Sequence, residues 1–314
     1  MKVIQKEDLD IFLNKLKENY DFFDCANSQL PPKQYFLPQE EGLFEIRKNS
    51  GEISYSNPPK EFILYGLSVR DIEAIAYLDE IMRKPPRDPF YFARRGKALL
   101  IGLSDEYFDV PAGGDIFLRP LKNGDYETII ATKKGEESIK KFGIELQEKD
   151  SPEYEKIENN VMPKLKKLLL DPELLKDAVK WSWEGLPGLW NELEQKCMGC
   201  GVCTYVCPLC HCFEMEDKVD LDDSACRRCR LWSACTVSGF SGIAGGHNFH
   251  KNQKERYYNW FYHKFVRGYM EFGKSQCVAC GRCKDQCPAG IDIEEVLIKI
   301  TNEYKNAKKS KTNG

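Results

Sequence analysis

Cys197, Cys200, Cys203 and Cys207 stand at two-two-three spacing and end in Cys207-Pro208. The same pattern recurs at Cys277, Cys280, Cys283 and Cys287-Pro288. This is C-x2-C-x2-C-x3-C-P written twice, the thiolate run that holds [4Fe–4S] clusters. Three closely spaced thiolates on a tight turn take three corners of a cubane, and the fourth cysteine points away to a neighbouring cluster. The swap assigns Cys287 to the Cys197, Cys200 and Cys203 set, and Cys207 to the Cys277, Cys280 and Cys283 set, so two [4Fe–4S] clusters are expected. Gly201 and Gly281 occupy equivalent places, where a side chain is expected to crowd the backbone against the cluster. Zinc, the competing metal, takes four ligands, usually as two separated pairs, which two complete runs do not resemble. Cys207 to His211 also matches the C-x-x-C-H haem pattern. Cys207 already belongs to the cluster run, and such haem attachment normally requires export.

Of the 14 cysteines, these runs use eight, and Cys25 stands alone. Cys210, Cys212, Cys226, Cys229 and Cys235 remain. They are enough for a third cluster, which four of the five would bind, and Cys226-x2-Cys229 has the right local bite. Such a site needs the chain to reverse near Asp222, setting Cys226-Arg-Arg-Cys229 against Cys210-His-Cys212. Arg227, Arg228 and Arg230 would then favour the thiolates. Packed thiols or zinc are the alternatives. His247, in A-G-G-H-N-F, reads as a structural histidine; the glycines form no nucleotide-binding fingerprint.

The elements that carry these groups can be read from periodicity. The chain has 314 residues, enough for two domains, with 30% charged residues and a net charge of −3. That balance argues against general nucleic-acid binding. No run reaches the ~18 apolar residues of a membrane span, and the first residues lack a secretory h-region, so a cytoplasmic protein is expected. Leu9, Phe12, Leu13 and Leu16 predict an amphipathic helix over 7–19. E-F-I-L-Y-G-L and A-L-L-I-G-L read as strands, with a helix between them capped by Ser68 or Asp71. Residues 115–131 read as a hairpin turning at Asn123-Gly124. The expected class is mixed α+β. An α/β domain spans 1–145, and a helical connector follows over 146–196, including Pro152–Leu170 and a helix from Asp171-Pro172. A cysteine-rich cluster domain is expected over 197–300, and a frayed tail over 301–314. Tyr258, Phe261, Tyr262 and Phe265 predict one aromatic helix face over the clusters.

The long interval 208–276 between the runs resembles the α-helical ferredoxin domain of respiratory-type iron–sulfur subunits rather than small bacterial ferredoxins, which implies an α-helical ferredoxin domain over 197–300. More specifically, C-T-Y-V-C-P-L-C-H-C-F, L-W-S-A-C, A-G-G-H-N-F, F-Y-H-K-F and C-V-A-C-G-R-C-K-D-Q-C-P resemble one family. It contains the iron–sulfur electron-transfer subunit of anaerobic sulfite reductases and the β subunit of cytosolic sulfhydrogenases. The likeness covers most of 195–295, and more weakly the segments around Glu61–Ile81 and Lys97–Ser104. It implies an electron-transfer subunit working between a flavin- and NAD(P)-binding subunit and a catalytic subunit. It also implies that the eight motif cysteines are ligands and that Cys210, Cys212 and Cys235 fall on family cysteines, the expected ligands of a third cluster with Cys226 or Cys229 as the fourth, between which spacing does not choose. The sequence departs from that pattern at Arg70 and at Ser104–Pro111, where relatives carry cysteines, and Cys226 and Cys229 look like additions. The alternative function is catalytic, a thiol–disulfide reductase of heterodisulfide type, against which the absence of a Cys-Cys dipeptide counts. A zinc-bound interaction module is the third class. No nucleic acid and no membrane span enter any of these readings.

Overall fold

The computed structural model describes residues 1–55, 60–104, 111–149, 164–222 and 224–312, the last two residues as backbone alone. The chain divides into two units, Met1–Pro38 with Leu43–Asn160, and Gln39–Gly42 with Val161–Gly314.

The first unit is built on a seven-stranded sheet. In chain order its strands are β1 (Lys2–Ile4), β2 (Asp21–Asp24), β5 (Phe62–Leu67), β6 (Ala98–Leu103), β7 (Ile116–Pro120), β8 (Tyr126–Ile130) and β9 (Gln147–Glu148), with β3 (Glu40–Arg47) and β4 (Ile53–Tyr55) lying outside it. The spatial order is β2-β5-β6-β7-β8-β1-β9. Strands β2, β5, β6 and β7 run parallel, and β7, β8, β1 and β9 pair antiparallel. Side chains alternate along a strand. Ile63, Leu99, Ile101, Ile116 and Leu118 meet Leu9, Phe12, Leu13 and Leu16 of the helix Lys6–Asn19 in one core. On the other face, a Cβ at Gly102 would stand 2.8 Å from Ile72 and 2.9 Å from Phe117, which places the helix Val69–Arg83 there. Both faces are covered, which explains why β5 and β6 read as unbroken apolar runs. Ser68 caps that helix, accepting from Asp71 N at 3.1 Å. In the β7–β8 hairpin only Gly124 takes a positive φ, +88°, and Leu121 N donates to Asp125 O at 2.8 Å. The Asn-Gly pair therefore makes a bulged turn, not one with two left-handed residues.

In the second unit, the helices Lys164–Leu169, Pro172–Gly185 and Pro187–Lys196 are part of the core rather than a separate connector. Asp171 caps the second of these, accepting from Leu174 N at 3.0 Å, and Pro172 occupies its first position. Leu175, Ala178, Val179 and Ser182 repeat at helical spacing and are buried. The helical reading of 152–163 lies outside the described residues. The helix Gln253–Phe261 continues through a π-helical segment, Tyr262–Arg267, into Gly268–Phe272. Its buried face is wider than the predicted stripe: Tyr257, Trp260, Phe261, Lys264, Phe265 and Val266 are buried, whereas Tyr258 and Tyr262 are half-buried.

Two expectations for this unit are corrected. The interval between the cysteine runs is not wholly helical, because β10 (Phe213–Val219) and β11 (Ala225–Trp232) form an antiparallel hairpin. The residues Gln39–Gly42 belong with it: Trp232 N donates to Gln39 O at 2.8 Å, and Arg230 is ion-paired with Glu41. The tail is not frayed from residue 301, since one helix runs Ile293–Thr312. Its lysines are good helix formers, so a charged composition does not end it. No helix among the described residues is long and apolar enough to cross a membrane.

Candidate metal centres

Each cysteine run folds into the same local form. Gly201 and Gly281, both at φ +80°, cap one-turn helices, Val202–Tyr205 and Arg282–Asp285. Two residues after each first cysteine the backbone is again left-handed, at Gly199 (φ +66°) and at Ala279 (φ +54°). This bend turns a peptide N–H back to the thiol: Ala279 N donates to Cys277 Sγ at 3.4 Å, and Gly199 N bonds Cys197 in the same way. The left-handed conformation at 201 and 281 favours glycine, and both residues line the thiol cavities. A Cβ at Gly201 would meet Tyr205 at 2.8 Å and Ala234 at 2.9 Å, but at Gly281 only the end of Asp285, at 3.3 Å. Gly281→Ala is therefore expected to cost about 1–2 kcal/mol, the left-handed penalty. Gly201→Ala should cost about 1–3 kcal/mol more, from overpacking. Denaturant midpoints of the two variants check the order; equal losses would contradict it.

The two runs come together around two cavities. One is lined by Cys197, Cys200, Cys203 and Cys287, the other by Cys207, Cys277 and Cys280, and Cys283 borders both. The first cavity thus joins three thiols of its own run with Cys283 and Cys287 of the other, and the second joins Cys277, Cys280 and Cys283 with Cys207 of the other. Among the described residues no three cysteine, histidine or carboxylate side chains converge on a single-ion point; the thiols stand around a volume instead. The walls are largely apolar, with Trp260, Tyr257, Ile291 and Ile293 at the first and Leu165, Leu209, Val278 and Ile293 at the second. Soft thiol donors around a largely apolar space fit [4Fe–4S] clusters.

Burial dominates the electrostatics of four of these thiols. It pushes Cys203 up to about 12 and Cys277 up to about 11, and it also raises Cys197 and Cys283. Without metal the buried thiols keep their protons, so loading iron must release them. Polar groups aim at the sulfurs. Gln253 Nε2 donates to Cys197 Sγ at 3.2 Å, and Ile291 N to Cys287 Sγ at 3.4 Å. Lys264 Nζ donates to Cys207 Sγ at 3.0 Å. Burial opposes the Lys264 charge, but Cys207, Cys210 and Cys277 raise its pKa once they are thiolates, the form that binds iron. Gln253 and Lys264 escaped sequence reading. The one signal was a lysine inside the stripe Trp260, Phe261, Lys264, Phe265, which a polar residue should avoid.

The remaining cysteines are not gathered as expected. Ser233 N donates to Cys212 O at 3.0 Å, and the Cys235 thiol is hydrogen-bonded to that of Cys212, which raises its pKa. Cys210 lies instead within the field of Lys264. Cys226 and Cys229 are directed elsewhere. The hairpin register starts at Phe213 opposite Trp232, which sets Cys229 opposite Glu216 and Cys226 opposite Val219, not opposite Cys210 and Cys212. At about 3.3 Å per residue they lie about 13 Å and 23 Å along the strand from Ser233. Arg227, Arg228 and Arg230 pair with Asp220, Asp217 and Glu41; carboxylates are their ion-pair partners, with Cys226 a weaker influence on Arg228. His247 is exposed, its ring edge-on to Phe249 at 4.9 Å. His263 is held neutral by burial, its pKa lowered to about 4.

Comparison with known proteins agrees with this geometry. The 4Fe-4S dicluster domain matches residues 196–291. Sulfhydrogenase 2 subunit beta of Pyrococcus furiosus is 31% identical over 292 residues, covering 88% of this chain and 84% of the relative. No solved structure matches.

Proposed function

The chain belongs to the iron–sulfur subunit family that includes sulfhydrogenase 2 subunit beta, and from that membership we propose that it relays single electrons within an oxidoreductase complex. The carrying observation is the pair of thiol-lined cavities, each combining three cysteines of one run with cysteine from the other, Cys283 and Cys287 at the first and Cys207 at the second. Cys197, Cys200, Cys203 and Cys287 would hold one [4Fe–4S] cluster, and Cys207, Cys277, Cys280 and Cys283 the second. Bound there, the clusters supply one-electron transfer between neighbouring centres. The protein's own part is to fix the thiols, exclude water with Trp260, Tyr257 and Ile293, and donate hydrogen bonds to sulfur.

The partners that fit such a relay are a flavin- and NAD(P)-binding subunit on one side and a catalytic subunit, of hydrogenase or sulfite reductase type, on the other. The family relation to a hydrogenase subunit favours the hydrogenase type. A reducing compartment, the cytoplasm, suits a chain whose cysteines would bind iron rather than pair as disulfides.

A second reading, a thiol–disulfide reductase, draws on the hydrogen-bonded Cys212 and Cys235 pair near Cys203. One assay separates the two. The purified, iron-replete chain alone is expected to turn over neither hydrogen, sulfite nor NAD(P)H, and to reduce no disulfide from a dye donor. Turnover of a disulfide by the chain alone supports the second reading, and turnover of any of the other three overturns the relay.

A further inference from the structure

Lys264 lies at 4% exposure in the core of the second unit. Its Nζ donates to Cys207 Sγ at 3.0 Å and to Gln276 O at 3.1 Å, and the ring of Trp260 stands 5.3 Å away. Gln276 N returns a bond to Lys264 O at 2.7 Å. The π-helical turn at Tyr262–Arg267 departs from the regular helical bonding pattern, and its Lys264 carbonyl receives that bond from outside the helix. Gly268 allows the approach, since a Cβ there would stand 2.9 Å from Gln276 Cγ. Gln276 immediately precedes Cys277. The lysine is thus tied at once to the last cysteine of the first run and to the start of the second.

The two cavities differ in this respect. Lys264 lines the one with Cys207, Cys277 and Cys280. Among the described residues no charged side chain lines the other, whose sulfurs receive neutral donors, Gln253 Nε2 on Cys197 at 3.2 Å and Ile291 N on Cys287 at 3.4 Å. Reduction adds one negative charge to a thiolate-held cluster. A buried ammonium at hydrogen-bond distance from a ligand sulfur favours that charge more than an amide does, because the surrounding dielectric is low. Net charge and hydrogen bonds to sulfur are what set cluster potentials.

We propose that Lys264 sets the two centres at unequal potentials, making the one built on Cys207, Cys277, Cys280 and Cys283 the easier to reduce. The inference rests on the two-cluster reading, and iron content separates the failure of one from the failure of the other. Lys264 acts through the ligands, as a positioning charge; it touches no substrate.

The test is a redox titration of the full chain followed by electron paramagnetic resonance, with Lys264→Gln as the variant. Glutamine keeps a donor and removes the charge. At a fixed potential, the reduced-to-oxidised ratio of the Cys207-containing centre should fall at least tenfold, 59 mV for one electron, while the other centre moves less. Unchanged potentials, or a larger shift in the other centre, overturn the proposal. If the variant does not load iron, the native sequence still decides. The signal that appears first on stepwise reduction should be the one altered by Cys207→Ser; if Cys287→Ser alters it instead, the proposal fails. Fewer than about eight irons in the unsubstituted chain, four per cluster, overturns the cluster reading and this inference with it.

Discussion

Cys287→Ser is expected to empty the centre formed by Cys197, Cys200 and Cys203 and to spare the Cys277 centre beside it in sequence. Cys287 follows Cys283 by only four residues, so a local reading would place the damage in its own run. The fold argues otherwise. Cys287 lines the cavity of the first run, its sulfur accepts from Ile291 N at 3.4 Å, and its charge bears on Cys197. Serine keeps the volume but is a poor ligand for iron, so iron should fall from about eight to about four per chain. The lost resonance signal should match the one lost in Cys197→Ser. If it matches the one lost in Cys277→Ser, the crossed arrangement is wrong.

Trp190→Ala is expected to destabilise the chain by about 3–5 kcal/mol. Trp190 is fully buried, its Nε1 donates to Ser182 O at 3.0 Å, and its ring meets Tyr258 at 5.0 Å and Phe261 at 5.4 Å. The same core reaches Tyr257 and Trp260, which wall the first cavity. Truncation leaves a cavity and removes a buried donor's bond, against a total of about 5–15 kcal/mol for a domain. Guanidinium unfolding of the iron-loaded chain, followed by visible absorption, should show the midpoint lowered and the colour lost in step with tryptophan fluorescence. A loss under about 1 kcal/mol would mean that this core does not support the centres.

Much of this protein is written locally. Two-two-three cysteine spacing is a local constraint, since three thiols on one turn face one point whatever surrounds them. The same holds for the helix starts at Ser68 and Asp171, whose caps act on N–H groups three residues ahead. It holds too for strands β5 and β6, whose unbroken apolar runs announce burial on both faces. The mixed α+β class followed from these elements.

Other features were decided by partners distant in sequence. The β10–β11 hairpin carries cysteines, arginines and acidic residues, and strand preference depends on what lies beside a strand; here Gln39–Gly42 supplies the neighbour. Its register, fixed at Phe213 and Trp232, carried Cys226 and Cys229 away from Cys212 and Cys235, which no count of thiols could reveal. Lys264 is the sharpest case. A lysine is rarely buried because the charge loses its water. Its place in the core depends on the sulfur of Cys207, 57 residues earlier, and on the carbonyl of Gln276. The sequence determined which thiols exist and how each run bends, because those are short-range geometry. Only the tertiary structure decided which charge stands beside which thiol, because burial and electrostatics depend on contacts through space.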